Sequence, residues 1–235
     1  MVKERDKGRI SRVFSKAARA GFQRAFDQVR VDERKYLRQI KRTHRLPISS
    51  WSEMFLLGPE IVGPIARRTI KASARMAGLE GMGLGMGGFL TFVPDMGILA
   101  TITLRMLQKL SLLYGFEYTT EDENVELWMA TASAAGVDLG RDFLGKQAME
   151  KVVPRIIDRV AVKVGSEAAE KWAGMIVPVL GAGVAGGINY YFVRSWGRRA
   201  QKHFHERHLA AATRPGATRV IPPPQPRLLP SGSDI

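Results

Sequence analysis

The side chains of this 235-residue chain that could do chemistry are few. Asp138 and Asp142 stand one helical turn apart around Arg141, which puts two carboxylates on one face, as general acid–base hydrolysis would need. Asp95, after Pro94 in an otherwise uncharged stretch, is a third candidate carboxylate. No nucleophile–base pair and no metal set accompanies them, and ion pairing of Asp138 and Asp142 with Arg141 or Lys146 accounts for their spacing. Glu121, Asp122 and Glu123 could gather a cation, yet they follow Thr120, whose spacing to Glu123 is that of a capping box, and acids suit a helix start. His203, His205 and His208 read HFHERH. On a helix the first two point about 200° apart, and Lys202 and Arg207 repel a cation, so a metal site is not expected. Absence of cysteine excludes a thiolate metal site, a disulfide framework and a cysteine nucleophile. Neither a catalytic residue nor a cofactor is expected.

Glycine offers one more chemistry, the cradling of phosphate. The run GLEGMGLGMGGFL has the density for it but not the context: no strand precedes it, no lysine follows at P-loop spacing, and its neighbours are Met, Leu and Phe. Gly81/Gly85 and Gly83/Gly87 are instead GxxxG pairs, whose bare faces let another helix approach closely. A second apolar stretch, residues 173–193, repeats the theme with Gly183/Gly187 and carries no charge.

Charge shows what must position these pieces. The chain carries +14, distributed as +10 over residues 1–45, −2 over 46–193 and +6 over 194–235. Hydrophobic content of 45% against 25% charged residues is that of a folded globular chain, so basic flanks on a near-neutral core imply an anionic partner gripped by the ends. The N-terminus has no apolar run of signal-peptide type. Ile10, Val13, Phe14, Ala17, Ala18, Phe22, Ala25, Phe26 and Val29 recur at helical spacing with Arg12, Lys16 and Arg19 opposite, predicting a basic amphipathic helix that could lie in a headgroup layer or pack on a core.

The rest reads as helix throughout. Ser50 and Glu53 form a capping-box pair opening a short helix, Pro59 starts the next, and Pro94 and Asp95 fall at the tip of a glycine-rich hairpin, with Asp95 capping a helix from Met96 to about Tyr114. Gly115 is its stop. Helical pattern resumes from Asp138 to Val164 with a kink at Pro154, then again from Ser166 to Pro178. Tyr190, Tyr191 and Trp196 leave the second glycine-rich stretch directly before Arg198, Arg199 and Lys202, an aromatic–basic exit favoured at a membrane–water boundary. Nucleic acid is disfavoured, because these aromatics continue an apolar helix and no nucleic-acid-binding motif accompanies them. The expected fold is an all-α helical bundle with two glycine-rich apolar helical hairpins. A basic amphipathic region (1–45), a helical domain (46–212) and a disordered proline-rich tail (213–235) divide the chain.

Residues 45–210 resemble the EcsC family. The resemblance lies in the run GMGLGMGGFLTFVPDMGILATITLRMLQKLSLLYGFEYTTEDENVELW, above all Leu104 to Phe116, and in the later glycine-rich segment with its aromatic–basic helix. It implies a largely helical bacterial protein without assigned catalytic residues. The family name derives from an operon that also encodes an ABC transporter, so a membrane-linked role is implied by association. Together these readings predict a non-enzymatic protein on the cytoplasmic face of the membrane, peripheral or shallowly inserted. Its partner would be anionic lipid, with a membrane transport component as a further partner. A soluble protein-interaction adaptor and a carboxylate-dependent hydrolase are the alternatives.

Overall fold

Asp32 opens the first well-defined helix, α1 (Glu33–His44), by accepting at 2.9 Å from the N–H of Lys35. Lys41, Arg42 and His44 in its last turn suit the negative end of the helix dipole, and Arg45 ends it in the left-handed region (φ 51). These features belong to a computed structural model that describes residues 12, 15–16, 19–21, 24–25, 29–84, 92–118, 121–137, 154–163 and 181–212. All the described regular structure is helical, and the chain is an all-α bundle.

A 3₁₀ turn at Ser52–Leu56 follows. Glu53 accepts from the Ser49 N–H at 2.9 Å and from the Ser50 hydroxyl at 3.3 Å, so the expected pairing forms. Trp51, however, precedes the turn without a side-chain cap, so a full capping box is not made. α2 (Pro59–Leu84) places Pro59 at its first position, where a missing N–H costs nothing, and continues through Pro64 into the glycine-rich stretch.

α3 (Phe92–Leu113) corrects the expected hairpin tip. Pro94 and Asp95 lie inside its first turn rather than ahead of it, because the first four N–H groups of a helix need no intrahelical partner and tolerate proline. Residues 85–91, including Gly85 and Gly87, lie outside the described residues. α3 ends as expected at Gly115 (φ 86), with Phe116 N–H bonded to Ser111 O and Gly115 N–H to Leu112 O, both 2.9 Å. α4 (Glu121–Ala135) ends in the same motif at Gly136 (φ 69), a stop the sequence reading did not mark. Residues 154–163 are helical, whereas Asp138, Asp142 and the tail at 213–235 lie outside the described residues.

α5 (Gly181–Ala212) follows. The latter half of the second glycine-rich stretch opens a single 32-residue helix that continues through the aromatic–basic exit, while residues 164–180, including Pro178, lie outside the described residues. It packs against α2, α3, α4 and the 3₁₀ turn, most extensively against α2. α3 forms the centre: Met106, Leu107, Leu110, Leu112 and Leu113 are fully buried, as are Thr103 and Ser111. Its apolar residues occupy most of the circumference, leaving only the narrow strip of Thr101, Arg105 and Lys109 toward solvent.

Candidate functional site

α2 and α5 are held together by small residues. A Cβ built on Gly186 would fall 2.5 Å from the carbonyl oxygen of Gly78 and 2.5 Å from Met82 Cγ, and one on Gly197 would fall 2.8 Å from Ile70 Cγ2. Further along, Gln201 Nε2 donates to Gly63 O at 3.4 Å, and the His208 ring reaches Leu57 O at 3.2 Å. As numbers rise along α5 they fall along α2, so the helices are antiparallel and Leu84 and Gly181 share one end of the bundle. Among the described residues the close approach is at Gly78 and Gly186. Gly81 is buried, Gly187 is exposed with open space at its Cβ, and the surroundings of Gly83 and Gly183 lie outside the described residues.

The outer faces of this pair are banded along the axis. On α2, Arg68, Lys71, Arg75, Leu79 and Met82 fall within about 80° of helix circumference, and all are exposed. The stripe is cationic up to Arg75 and then apolar, with Leu79 66% and Met82 41% exposed, and Met76, 54% exposed, stands about 60° to one side of it. Glu80 flanks it as the one acid of that turn. On α5, Gly187, Tyr191, Arg194, Arg198 and Lys202 occupy a similar arc of about 80° and are likewise exposed, Tyr191 by 64%. Because the helices are antiparallel, both stripes become apolar toward the same end and cationic away from it. The apolar band from Met76 to Met82 covers about 10 Å of axis.

Within α5, the aromatic–basic exit divides by face. Tyr191 stays outside, while Tyr190 is half-buried over Gly78 and its hydroxyl accepts from Arg194 Nη1 at 2.9 Å. Trp196 corrects the sequence reading. It is 1% exposed, packed 4.9 Å from the Phe192 ring, because it falls on the inward stripe with Val193, Ala200 and Phe204. Arg199 also turns inward, donating to the carbonyl of Ala134 at the end of α4. Arg198 and Lys202 remain on the surface, Lys202 4.0 Å from Glu206.

Polar groups on the inward face of α5 act as caps that the sequence reading missed. His208 is buried, with Nδ1 3.0 Å from Tyr114 O and Nε2 3.2 Å from Leu57 O, the carbonyls ending α3 and the 3₁₀ turn. Gln201 also donates to the Tyr114 hydroxyl at 3.2 Å. The signal was present, since His208 follows Phe204 and Gln201 at spacings that share a face. No three His, Asp or Glu side chains gather as a metal set among the described residues.

Of the N-terminal helix, Arg12, Lys16 and Arg19 are exposed, and Arg19 pairs at 2.8 Å with Asp158. Gly21 and Ala25 are buried, so this helix packs on the body; Phe14, Phe22 and Phe26 lie outside the described residues. Among the described residues no helix is long and apolar enough to cross a membrane.

Comparison with known proteins adds one relationship. The family model described as the EcsC protein family matches residues 7–209, so its match includes the N-terminal helix that the sequence resemblance left out. The curated Protein EcsC of Bacillus subtilis (strain 168) is 27% identical over 150 residues, covering 62% of this chain and 63% of that protein. This chain therefore aligns with less than two thirds of that relative's length. No solved structure matches the chain.

Proposed function

The chain belongs to the EcsC protein family, and from that premise we propose that it is a non-enzymatic helical protein that associates with anionic membrane surfaces. The observation that carries the reading is the shared banding of α2 and α5, apolar at Met76, Leu79, Met82 and Tyr191 and cationic at Arg68, Lys71, Arg75, Arg194 and Arg198. Isolated exposed apolar residues need no explanation, but four at one bundle end with a cationic collar form a patch of the kind that meets lipid. A band about 10 Å deep matches the 5–10 Å to which interfacial helices sink, and that depth leaves the collar among the headgroups. The association is peripheral or shallowly inserted. Its place is the cytoplasmic leaflet, whose anionic lipids attract surface Lys and Arg by about 1 kcal/mol each. A role as accessory factor in membrane transport or secretion rests on the family's association with a transporter operon.

Vesicle sedimentation of the full chain tests this. Pelleting with phosphatidylserine-containing vesicles at low salt, weakened by added salt, is the expected result. Leu79→Asp with Tyr191→Asp should abolish pelleting while leaving the far-ultraviolet circular dichroism unchanged. Wild-type protein that stays in the supernatant with anionic vesicles would refute the reading. Carbonate extraction then separates shallow insertion, from which the protein is released, from deeper integration.

A further inference from the structure

α1 is held by one face. Tyr36 and Ile40 are buried, Tyr36 Oη lies 3.4 Å from Thr69 Oγ1, and the Lys109 ammonium stands 5.4 Å from the Tyr36 ring centre. The chain leading into it is gripped as well. Gln108 Nε2 donates to Val29 O at 2.9 Å, its Oε1 accepts from Val31 N–H at 3.0 Å, and the Tyr118 hydroxyl donates to Val31 O at 3.3 Å. α1 is thus a fixed element of the body.

Its other face is a row of cations. Arg34, Arg38, Arg42 and Arg45 are exposed at spacings of four, four and three residues, with Lys35 and Lys41 on its flanks. The row is about 17 Å long at 1.5 Å per residue. No acid occurs between Arg34 and Arg45, and none of these six side chains makes an ion pair among the described residues. The neighbouring elements do not compensate: burial and the Arg68 charge on α2 hold His44 below its usual pKa, and burial and Arg105 do the same to Lys109 on α3. Like charges one turn apart destabilise a helix. Arg45 moreover holds a left-handed backbone, φ 51, where glycine would be easier. The bare protein therefore keeps this charge against a repulsion that binding of anions would offset.

We infer that α1 is a preformed ridge that reads the phosphates of the bilayer, with headgroups seated along Arg34, Arg38, Arg42 and Arg45. The inference rests on the lipid reading above. Arginine suits the role because its planar fork takes phosphate oxygens in pairs, whereas lysine acts as a point charge. Tyr36 is buried and His44 half-buried, so neither ring of α1 stands fully exposed for a nucleic-acid base to stack on.

Three full-length variants test it by partition onto phosphatidylcholine vesicles with and without phosphatidylserine, across a salt series. Arg34→Gln/Arg38→Gln/Arg42→Gln should bind serine-containing vesicles about 100-fold more weakly at low salt, with a flatter salt dependence, while thermal unfolding shows it folded. Changing the same three arginines to lysine should restore the salt dependence but only part of the affinity, because the charge returns without the paired fork. Leu79→Ser/Tyr191→Ser should weaken binding yet keep the steep salt dependence. A glutamine variant with wild-type affinity and salt slope would overturn the ridge while leaving the lipid reading intact. Loss of duplex DNA or RNA binding with vesicle binding unchanged would reassign the ridge to nucleic acid. Failure of the wild type on anionic vesicles would remove the lipid reading and the ridge with it.

Discussion

Tyr36 shows how much a single side chain can say about its surroundings. Burial pushes its hydroxyl up to about 12, against a partial opposing effect of the Thr69 hydrogen bond. The folded state thus favours the neutral phenol. Its contribution to stability is complete below the unfolded value near 10 and is lost as pH rises toward 12, because the unfolded chain releases the proton first. Two pKa steps correspond to about 3 kcal/mol. Denaturant unfolding between pH 9 and 12 should show the wild type losing stability over that window, and Tyr36→Phe should flatten the loss. His208 acts differently, through position: its ring fills the space between two helix-end carbonyls and stacks 5.4 Å from Phe55. His208→Ala should cost about 2–4 kcal/mol, the combined effect of a cavity and unpartnered buried carbonyls, read as a lowered denaturant midpoint at unchanged slope. Neither role is plain from the residues alone: His208 shares a face with Gln201 and Phe204, but HFHERH reads equally well as a solvated basic helix end.

Among elements, the α2/α5 pair carries the argument about glycine. GxxxG spacing marked close helix approach, and among the described residues close approach occurs at Gly78 and Gly186, positions the spacing did not single out. Periodicity places residues on a face without saying which turn of one helix meets which turn of another, because that depends on the crossing point. The consequence is a contrast between neighbours. Gly186→Leu would drive a side chain into the backbone of α2 and should cost about 2–4 kcal/mol, whereas Gly187→Leu faces open space and should stay within about 0.5 kcal/mol. Equal thermal midpoints for the two variants would contradict the packing. Helix ends were easier to read: Gly115 was expected as a stop, and its φ of 86 explains why only glycine sits comfortably there. Pro94 misled for a good reason, since proline marks both turns and first helical turns, and only the helix start at Phe92 separates them.

Across the whole molecule, the balance of charge and grease decides behaviour. With +14 overall and the cationic sites of α1, α2 and α5 on its surface, the protein should reach anionic vesicles through long-range attraction. Raising ionic strength from 0.1 to 1 M shortens the screening length from about 10 Å to about 3 Å, so association measured by stopped flow should slow by at least tenfold while dissociation changes less. A rate indifferent to salt would mean that the apolar end alone drives binding. The hydrophobic mass of the chain does not all serve that end. α3 supplies much of the buried centre of the bundle, and the large exposed apolar side chains among the described residues lie on the last turns of α2, at Tyr191 and at Val162.

Residue order alone determined that the chain is helical, that its ends are basic, that it lacks cysteine chemistry and that it resembles the EcsC family. The first three follow from composition and local periodicity, which act over a few residues; the resemblance lies in particular runs such as Leu104 to Phe116. Which apolar helix is buried, which aromatic of the Tyr190–Trp196 run faces out, and that Arg199 and His208 cap other helices were decided by tertiary structure. A residue's own neighbours set its angle around a helix axis, but what stands opposite it comes from segments up to 151 residues away, as between His208 and Leu57. Burial is a property of that opposing surface.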